Sequence, residues 1–406
     1  PEDVQAHLIG GIPAAEVQSP QLEALRAAFG LDFGALFQPE REGYLAFSEA
    51  IEQKSAIKPA IEADSAVQRT LSQHQLALED WWTTAQIDFS QLRSGKSMPE
   101  VRHELITTLK DKLVPLAVLD EFKSAGVFVN WWQQIRFDLK TIRSTGWHHT
   151  LIPDNYLIAA FFQAEADAIE TAEATVSEKQ SELAEAVESG QEVVEYDPDE
   201  GESITAATIK AALKTAIQDL KGSAGASAQS DLKKYQAAEK TIKRLETEIK
   251  NAKNAAKRLS AELAHKLELK RLGGEGFRAE TRLRIAQIEA ECAKLDPAKK
   301  ADKKSLTALE KDQAVLAARI ESTAALLESI GGQLTDEESQ TLILKKLYDI
   351  ATAELERYLN AEKRALVAGV EKLWDKYAVS SQQLETEREA TLGQLNGFLS
   401  GLGYLG

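Results

Sequence analysis

The chain has 406 residues, a net charge of −16, 28% charged side chains and 43% apolar ones, a balance that fits a soluble, helix-rich protein of two or three domains. The negative charge argues against free, non-specific DNA binding, which needs an excess of Lys and Arg, but not against a place in a DNA-binding assembly whose basic surface lies on another subunit. The single Cys292 rules out a disulfide within the chain, no apolar run reaches the ~18–20 residues of a membrane span, and no signal peptide is visible, so a cytoplasmic protein with no membrane partner is expected.

The chain opens on Pro1 rather than Met, which suggests a fragment or a processed product. Gly10-Gly11-Ile12-Pro13 reads as a turn or loop. Ser19-Pro20 reads as the N-cap and first position of a helix over Gln21–Phe29 that stops at Gly30. Tyr44 to Phe89 is helical in pattern, interrupted near Pro59 and carrying Trp81-Trp82 near its end. Further helices are expected from Pro99-Glu100 to about Lys112 and over Val127–Ile142, the latter containing Trp131-Trp132. No run of period-two strands stands out, so residues 1–152 are expected to be mainly α.

Pro153-Asp154 opens a long helix in which Phe162, Ile169, Val176 and Leu183 lie seven apart. Fourteen acidic residues lie between Gln163 and Glu202, opposed only by Lys179. Two loop-like stretches, Tyr196–Gly201 and Gly222–Gly225, link this helix to the next. From Tyr235 onward nine positions alternate steps of three and four: Tyr235, Ala238, Ile242, Leu245, Ile249, Ala252, Ala256, Leu259 and Leu263. That is the seam of a coiled coil. A helix over Asp231–Arg271 is about 60 Å long at ~1.5 Å per residue, whereas a compact chain of this size has a radius of gyration of roughly 22 Å. An arm is therefore expected. Its twelve Lys/Arg against six Asp/Glu favour antiparallel pairing with the acidic helix; the returning Leu306–Ile330 stretch is the alternative partner.

After Gly273-Gly274-Glu275-Gly276 the rhythm resumes at Ile285, Ile288, Cys292 and Leu295, then at Leu306, Leu309, Leu316, Ile320, Leu327 and Ile330. Asp296-Pro297 between them reads as a fresh helix start, and Gly331-Gly332 as an end. Residues 153–334 form the expected coiled-coil arm. Residues 335–406 form a C-terminal helical pair, one helix to about Tyr377 and one over Gln382–Leu399, followed by a glycine stop at Gly401–Tyr404.

Several motifs imitate chemistry. Gly95-Lys96-Ser97 lacks the glycine five positions earlier that a phosphate-binding loop needs, since position 90 is Ser90. Gly273–Gly276 follows a helix and reads as a helix-to-helix turn. Trp147-His148-His149 with Asp154 lacks metal-ligand spacing, and His7 and His74 are lone residues. The Trp pairs have no interleaved basic patch for nucleobase stacking, so core packing with one exposed ring is expected. The acidic run from Glu185 to Glu202 reads as a solvated face.

The two ends of the chain carry a resemblance. They read Pro1-Glu2-Asp3-Val4-Gln5-Ala6-His7-Leu8-Ile9-Gly10-Gly11-Ile12-Pro13, then Leu25-Arg26, Leu36-Phe37 and Gly43-Tyr44. Trp131-Trp132, Asp138, Gly146-Trp147 and Ile152-Pro153 follow. Near the far end stand Arg357-Tyr358-Leu359-Asn360-Ala361-Glu362-Lys363-Arg364-Ala365-Leu366, Leu373-Trp374-Asp375-Lys376-Tyr377, Glu387-Arg388, Phe398-Leu399 and Leu402-Gly403-Tyr404. Together these resemble the region after the methylase domain in the M (modification) subunit of type I restriction–modification systems, over roughly residues 1–170 and 335–406.

The resemblance implies an assembly of two M subunits with one S (specificity) subunit, and R subunits for restriction. M moves a methyl group from S-adenosylmethionine to the N6 of a flipped-out adenine, using a glycine-rich cofactor loop and an Asn-Pro-Pro-aromatic motif. Neither motif occurs in this chain, so no catalytic, cofactor-binding or metal-binding residues are assigned, and S-adenosylmethionine belongs to the presumed parent enzyme. What the family places here is a helical region that packs on the long helices of S, with DNA reached through the assembly. The expected partner-binding residues are Leu355, Tyr358, Leu359, Leu366, Val370, Leu373, Trp374, Tyr377, Leu395, Phe398 and Leu399, with Leu392 and Leu402 on the same band. Its bland counterpart is that these helices pack on each other and on the body. The alternative function is a free-standing coiled-coil scaffold or tether with no enzymatic parent.

Overall fold

The computed structural model describes residues 11–93, 96–198, 203–221, 226–295, 299–377 and 381–401. The protein is mainly α. In chain order its elements begin with β1 (Ile12–Pro13), α1 (Ala14–Val17), α2 (Pro20–Phe29), β2 (Phe37–Arg41) and β3 (Tyr44–Phe47). Then come α3 (Ile57–Ala63), α4 (Ser65–Ser90), α5 (Met98–Leu113), α6 (Glu121–Thr145), α7 (Asp154–Phe161), α8 (Gln163–Val194) and α9 (Ala206–Leu220). The chain ends with α10 (Ala226–Leu272), α11 (Glu275–Cys292), α12 (Lys300–Ser329), α13 (Asp336–Tyr377) and α14 (Ser381–Gly401). Among the described residues no helix is long and apolar enough to cross a membrane.

Local chemistry fixes many of these ends. Pro20 opens α2 and Gly30 closes it in the left-handed conformation at φ +67°. The Asp64 carboxylate accepts from the Ala66 and Val67 amides at 2.9 and 3.1 Å, so the interruption expected at Pro59 falls at Asp64 instead. Pro59 is tolerated because it sits in the first turn of α3, where its missing N–H is no loss. Ser97 and Glu100 form a reciprocal capping box at the start of α5.

Two compact units divide the chain: residues 1–151 with 343–406, and residues 152–342. The C-terminal helices thus belong to the same unit as the N-terminal segment rather than forming a domain of their own.

In the first unit β1 and β2 flank β3 in an antiparallel sheet, with Ile12 opposite Leu45 and Phe37 opposite Phe47. Tyr44–Phe47 is therefore a strand and not the start of a helix, and Ile12–Pro13 is a strand and not a loop. Strands of two to five residues are too short to show a period of two, and the pairing is irregular between Pro39 and Arg41. Pro39 is accommodated because β2 is an edge strand.

The core of this unit is aromatic. Trp81, Trp82 and Phe89 of α4 meet Phe128, Trp131 and Trp132 of α6, with Trp81 edge-on to Trp131 at 5.4 Å and Phe128 stacked on Trp132 at 5.6 Å. All four indoles of the two pairs are buried, including the ring of each pair expected to be exposed. The indole N–H of Trp81 donates to Thr108 Oγ1 at 3.0 Å and that of Trp131 to the Leu347 carbonyl at 2.9 Å, so neither is buried without a partner.

In the second unit α8 and α10 run antiparallel. Glu165, near the start of α8, pairs with Lys266, near the end of α10, at 2.7 Å. At the other end Val187 clusters with Ile209, Leu213 and Ile242. Every one of the nine seam positions is buried or half-buried, while the neighbours Lys240, Lys243, Lys253 and Lys257 are exposed. Gly190 is buried there because an added Cβ would lie 3.0 Å from Ile209 and 3.4 Å from Ile242.

Three features depart from the expected arm. Phe162, at φ −134° and buried, breaks the expected single helix into α7 and α8. Between the two loop-like stretches lies α9, a helix not expected there, which buries Ile209, Leu213 and Ile217. The returning α12 packs on α11, with the Gln313 amide donating to Glu289 at 2.8 Å. The expected start at Asp296-Pro297 lies outside the described residues.

Lys270 is the least expected core residue. It is 1% exposed in the last turn of α10, with its ammonium 3.3 Å from Glu338 and 4.2 Å above the Phe161 ring. Glu338 also accepts from the Thr335 amide at 2.8 Å, while the Lys270 carbonyl accepts from the Leu334 amide at 2.7 Å.

Candidate partner-binding surface

The eleven residues expected to bind a partner separate into two groups. On α13, Leu355, Leu359, Leu366, Val370, Leu373 and Tyr377 are buried, and Tyr358 and Trp374 are half-buried. What covers this band is the first unit itself. Trp374 lies against Phe47 of β3 at 4.8 Å between ring centroids. Tyr358 sits against Gly126 of α6, and its hydroxyl accepts from Asn130 Nδ2 at 3.1 Å. Ion pairs border the contact: Lys346 to Asp138 at 2.6 Å, Lys123 to Glu362 at 2.9 Å, Lys363 to Glu62 at 3.0 Å and Lys54 to Asp375 at 2.7 Å. The α13 band is thus core.

The second group lies on α14. Every side chain described from Thr386 to Phe398 is exposed, and Leu399 is half-buried. Leu392, Leu395 and Phe398 are 43%, 51% and 72% exposed. Positions 392, 395 and 399 are spaced three and four apart, so they share one face of the helix, with Phe398 beside it. Leu402 lies outside the described residues. An apolar helical face in water forfeits ~1.5–3 kcal/mol for each large side chain that a partner could bury, and this face is the part of the expected set that remains available.

The motifs that imitate catalysis resolve into structure. Lys96 pairs with Asp88 at 2.7 Å and Glu104 at 2.8 Å, and these hydrogen bonds raise its pKa; Ser97 is the N-cap of α5. Gly95 lies outside the described residues. Gly273 and Gly274 take φ of +64° and +67° in the turn from α10 to α11. His148 Nδ1 lies 2.9 Å from Thr150 Oγ1. Among the described residues no group of three or more His, Cys, Asp or Glu could hold a metal. His74 is buried in α4 with Nδ1 2.8 Å from the Thr70 carbonyl, and burial lowers its pKa against the opposing effect of that hydrogen bond.

One feature escaped the sequence. Between α5 and α6 lies a cleft of about 530 Å³ lined by Met98, Pro99, Arg102, His103, Ile106, Trp132, Arg136 and Lys140. Its cations come from two helices, with Arg102 and Arg136 standing 34 residues apart, at spacings of one helical turn that any solvated face shows. Only the antiparallel pairing of α5 and α6 brings them together.

The chain matches no family model, no curated protein and no solved structure.

Proposed function

We propose that this chain is the C-terminal, subunit-docking region of the M subunit of a type I restriction–modification DNA methyltransferase. Its work is mechanical: it holds the methylase on the S subunit that reads DNA. The parent enzyme would carry S-adenosylmethionine and methylate adenine N6, with a second M subunit and R subunits joining the assembly. The observation that carries the docking role is the apolar face of α14, where Leu392, Leu395 and Phe398 are open to solvent; a helix of this kind is suited to lie in a groove between partner helices. The identity of the partner rests on the sequence resemblance at the two chain ends. The finer architecture proposed for residues 153–334 is an antiparallel coiled-coil arm, supported by the buried seam of α10 and the Glu165–Lys266 pair.

The test separates α14 from the fold. Leu395→Asp with Phe398→Asp in the full-length M subunit is expected to abolish co-purification with S while the tryptophan emission of the first unit stays native. Truncation after Leu334 is a poorer probe, because it removes the core residues of α13. Undiminished assembly of the double variant with S would overturn the docking role. The alternative, a free-standing scaffold, is decided by the coding sequence upstream of Pro1: a cofactor loop and an Asn-Pro-Pro-aromatic motif there support the methylase, and a start codon opposes it.

A further inference from the structure

We propose that the cleft between α5 and α6 binds a small organic phosphate with a planar ring, a ligand of the nucleoside monophosphate class. The two helices are antiparallel, since Lys110 at the end of α5 pairs with Glu121 at the start of α6. This sets the Met98–Ile106 stretch of α5 beside the Trp132–Lys140 stretch of α6, and Arg102, His103, Arg136 and Lys140 line one hollow. The acids interspersed with them are engaged elsewhere. Glu104 and Asp88 hold Lys96, Glu100 accepts from the Ser97 amide at 3.0 Å, and Asp138 holds Lys346. Among the described residues no carboxylate forms an ion pair with Arg102, Arg136 or Lys140. In a chain of net charge −16 these cations repel one another until an anion neutralises them.

The rest of the lining specifies more than phosphate. Met98, Pro99, Ile106 and Trp132 offer apolar surface, and the volume of about 530 Å³ suits a small molecule, since ligand pockets span ~300–1,000 Å³. Arginine is the side chain that meets phosphate with two parallel N–H donors. Phe137, next to Arg136 on α6 but outside the cleft lining, is 59% exposed, with the Arg136 guanidinium 4.7 Å and the Lys140 ammonium 5.3 Å from its ring centroid; these contacts restrain both cations. The α5 N-terminus is already occupied by its own capping box, so the phosphate rests on side chains. Trp132 to Lys140 covers only about 12 Å of helix, which matches a nucleotide and is short for a docked acidic helix.

The experiment is calorimetric titration of the full chain with AMP, GMP, CMP and UMP, against adenosine, inorganic phosphate and a poly-glutamate peptide. At least one monophosphate is expected to bind, with its nucleoside and inorganic phosphate each about tenfold weaker or more, the usual effect of removing charge-assisted bonds or ring contacts. Arg102→Ala and Arg136→Ala, both at exposed positions, should each weaken that binding by a similar factor with unchanged circular dichroism. Absence of binding by all four monophosphates overturns the proposal. So does binding that both arginine variants leave intact, or binding of poly-glutamate alone, which would reassign the cleft to an acidic protein segment.

Discussion

Gly126→Ala is the sharpest probe of how α13 is held. In an open helix the change would stabilise by about 1 kcal/mol, because alanine restricts the unfolded chain more than glycine does. Here the added methyl would collide with the Tyr358 hydroxyl and approach its ring carbon Cζ to 2.9 Å. An aromatic ring end cannot swing aside cheaply, and overpacking of this kind costs ~1–3 kcal/mol. Moving the ring also weakens the Asn130–Tyr358 hydrogen bond, worth about 1 kcal/mol. The unfavourable contributions win, so a net loss of ~1–2 kcal/mol is expected, or about 2–4 °C in Tm per kcal/mol for a unit of this size. All six tryptophans, at positions 81, 82, 131, 132, 147 and 374, belong to the first unit, so urea unfolding followed by their emission reads this unit alone. With Tyr358→Phe, which removes the colliding oxygen, the cost of Gly126→Ala should shrink by about 0.5–1 kcal/mol in a double-mutant cycle. A Gly126→Ala protein as stable as the parent, with no coupling to position 358, would refute the close approach of α6 and α13.

Three further outcomes are expected. Ile242→Asp with Ile249→Asp places carboxylates at buried seam positions at a cost of several kcal/mol; far-UV circular dichroism should fall while tryptophan emission is unchanged. The pKa of His74 is lowered in the fold from 6.5, chiefly by burial, so below that value the unfolded chain takes up the proton first. Stability of the first unit should thus be complete above pH 6.5 and fall with acidification by up to ~1.4 kcal/mol per pH unit, a slope that His74→Phe should flatten in pH-dependent urea titrations. Lys270→Met should cost less than about 1 kcal/mol in thermal unfolding followed by circular dichroism, because it keeps the stem beside Phe161 and Glu338 is exposed enough to be rehydrated. A loss well above that would show the ion pair itself to be a major contributor.

Long helices were legible from their period, and their ends from Ser19-Pro20, Gly30 and Gly331-Gly332, because these signals are local. The seam over Tyr235–Leu263 pointed to a partner helix, and charge favoured the acidic one that α8 proved to be. Lost to a linear reading were the features made by distant pairing. The strands are too short for a pattern, and α9 was hidden between two glycine- and acid-rich loops. The α13 band looked wide enough to serve a partner, yet width alone cannot tell a partner's surface from the chain's own. Gly126 and Trp131 supply the missing half of that contact from more than 200 residues away, and Arg102 and Arg136 meet by the same kind of accident of pairing.

The discontinuity of the first unit has a consequence for the chain's birth. The chain leaves this unit after Leu151 and re-enters it at Ile343, where the Lys346 ammonium donates to the Leu151 carbonyl at 2.9 Å. A ribosome emitting ~5–20 residues per second therefore delivers Trp82 and Trp131 about 10–50 s before the Tyr348 ring and Leu347 carbonyl that complete their surroundings. Through that interval the half-built aromatic cluster is a natural client for a chaperone, and the intervening helices have time to fold first.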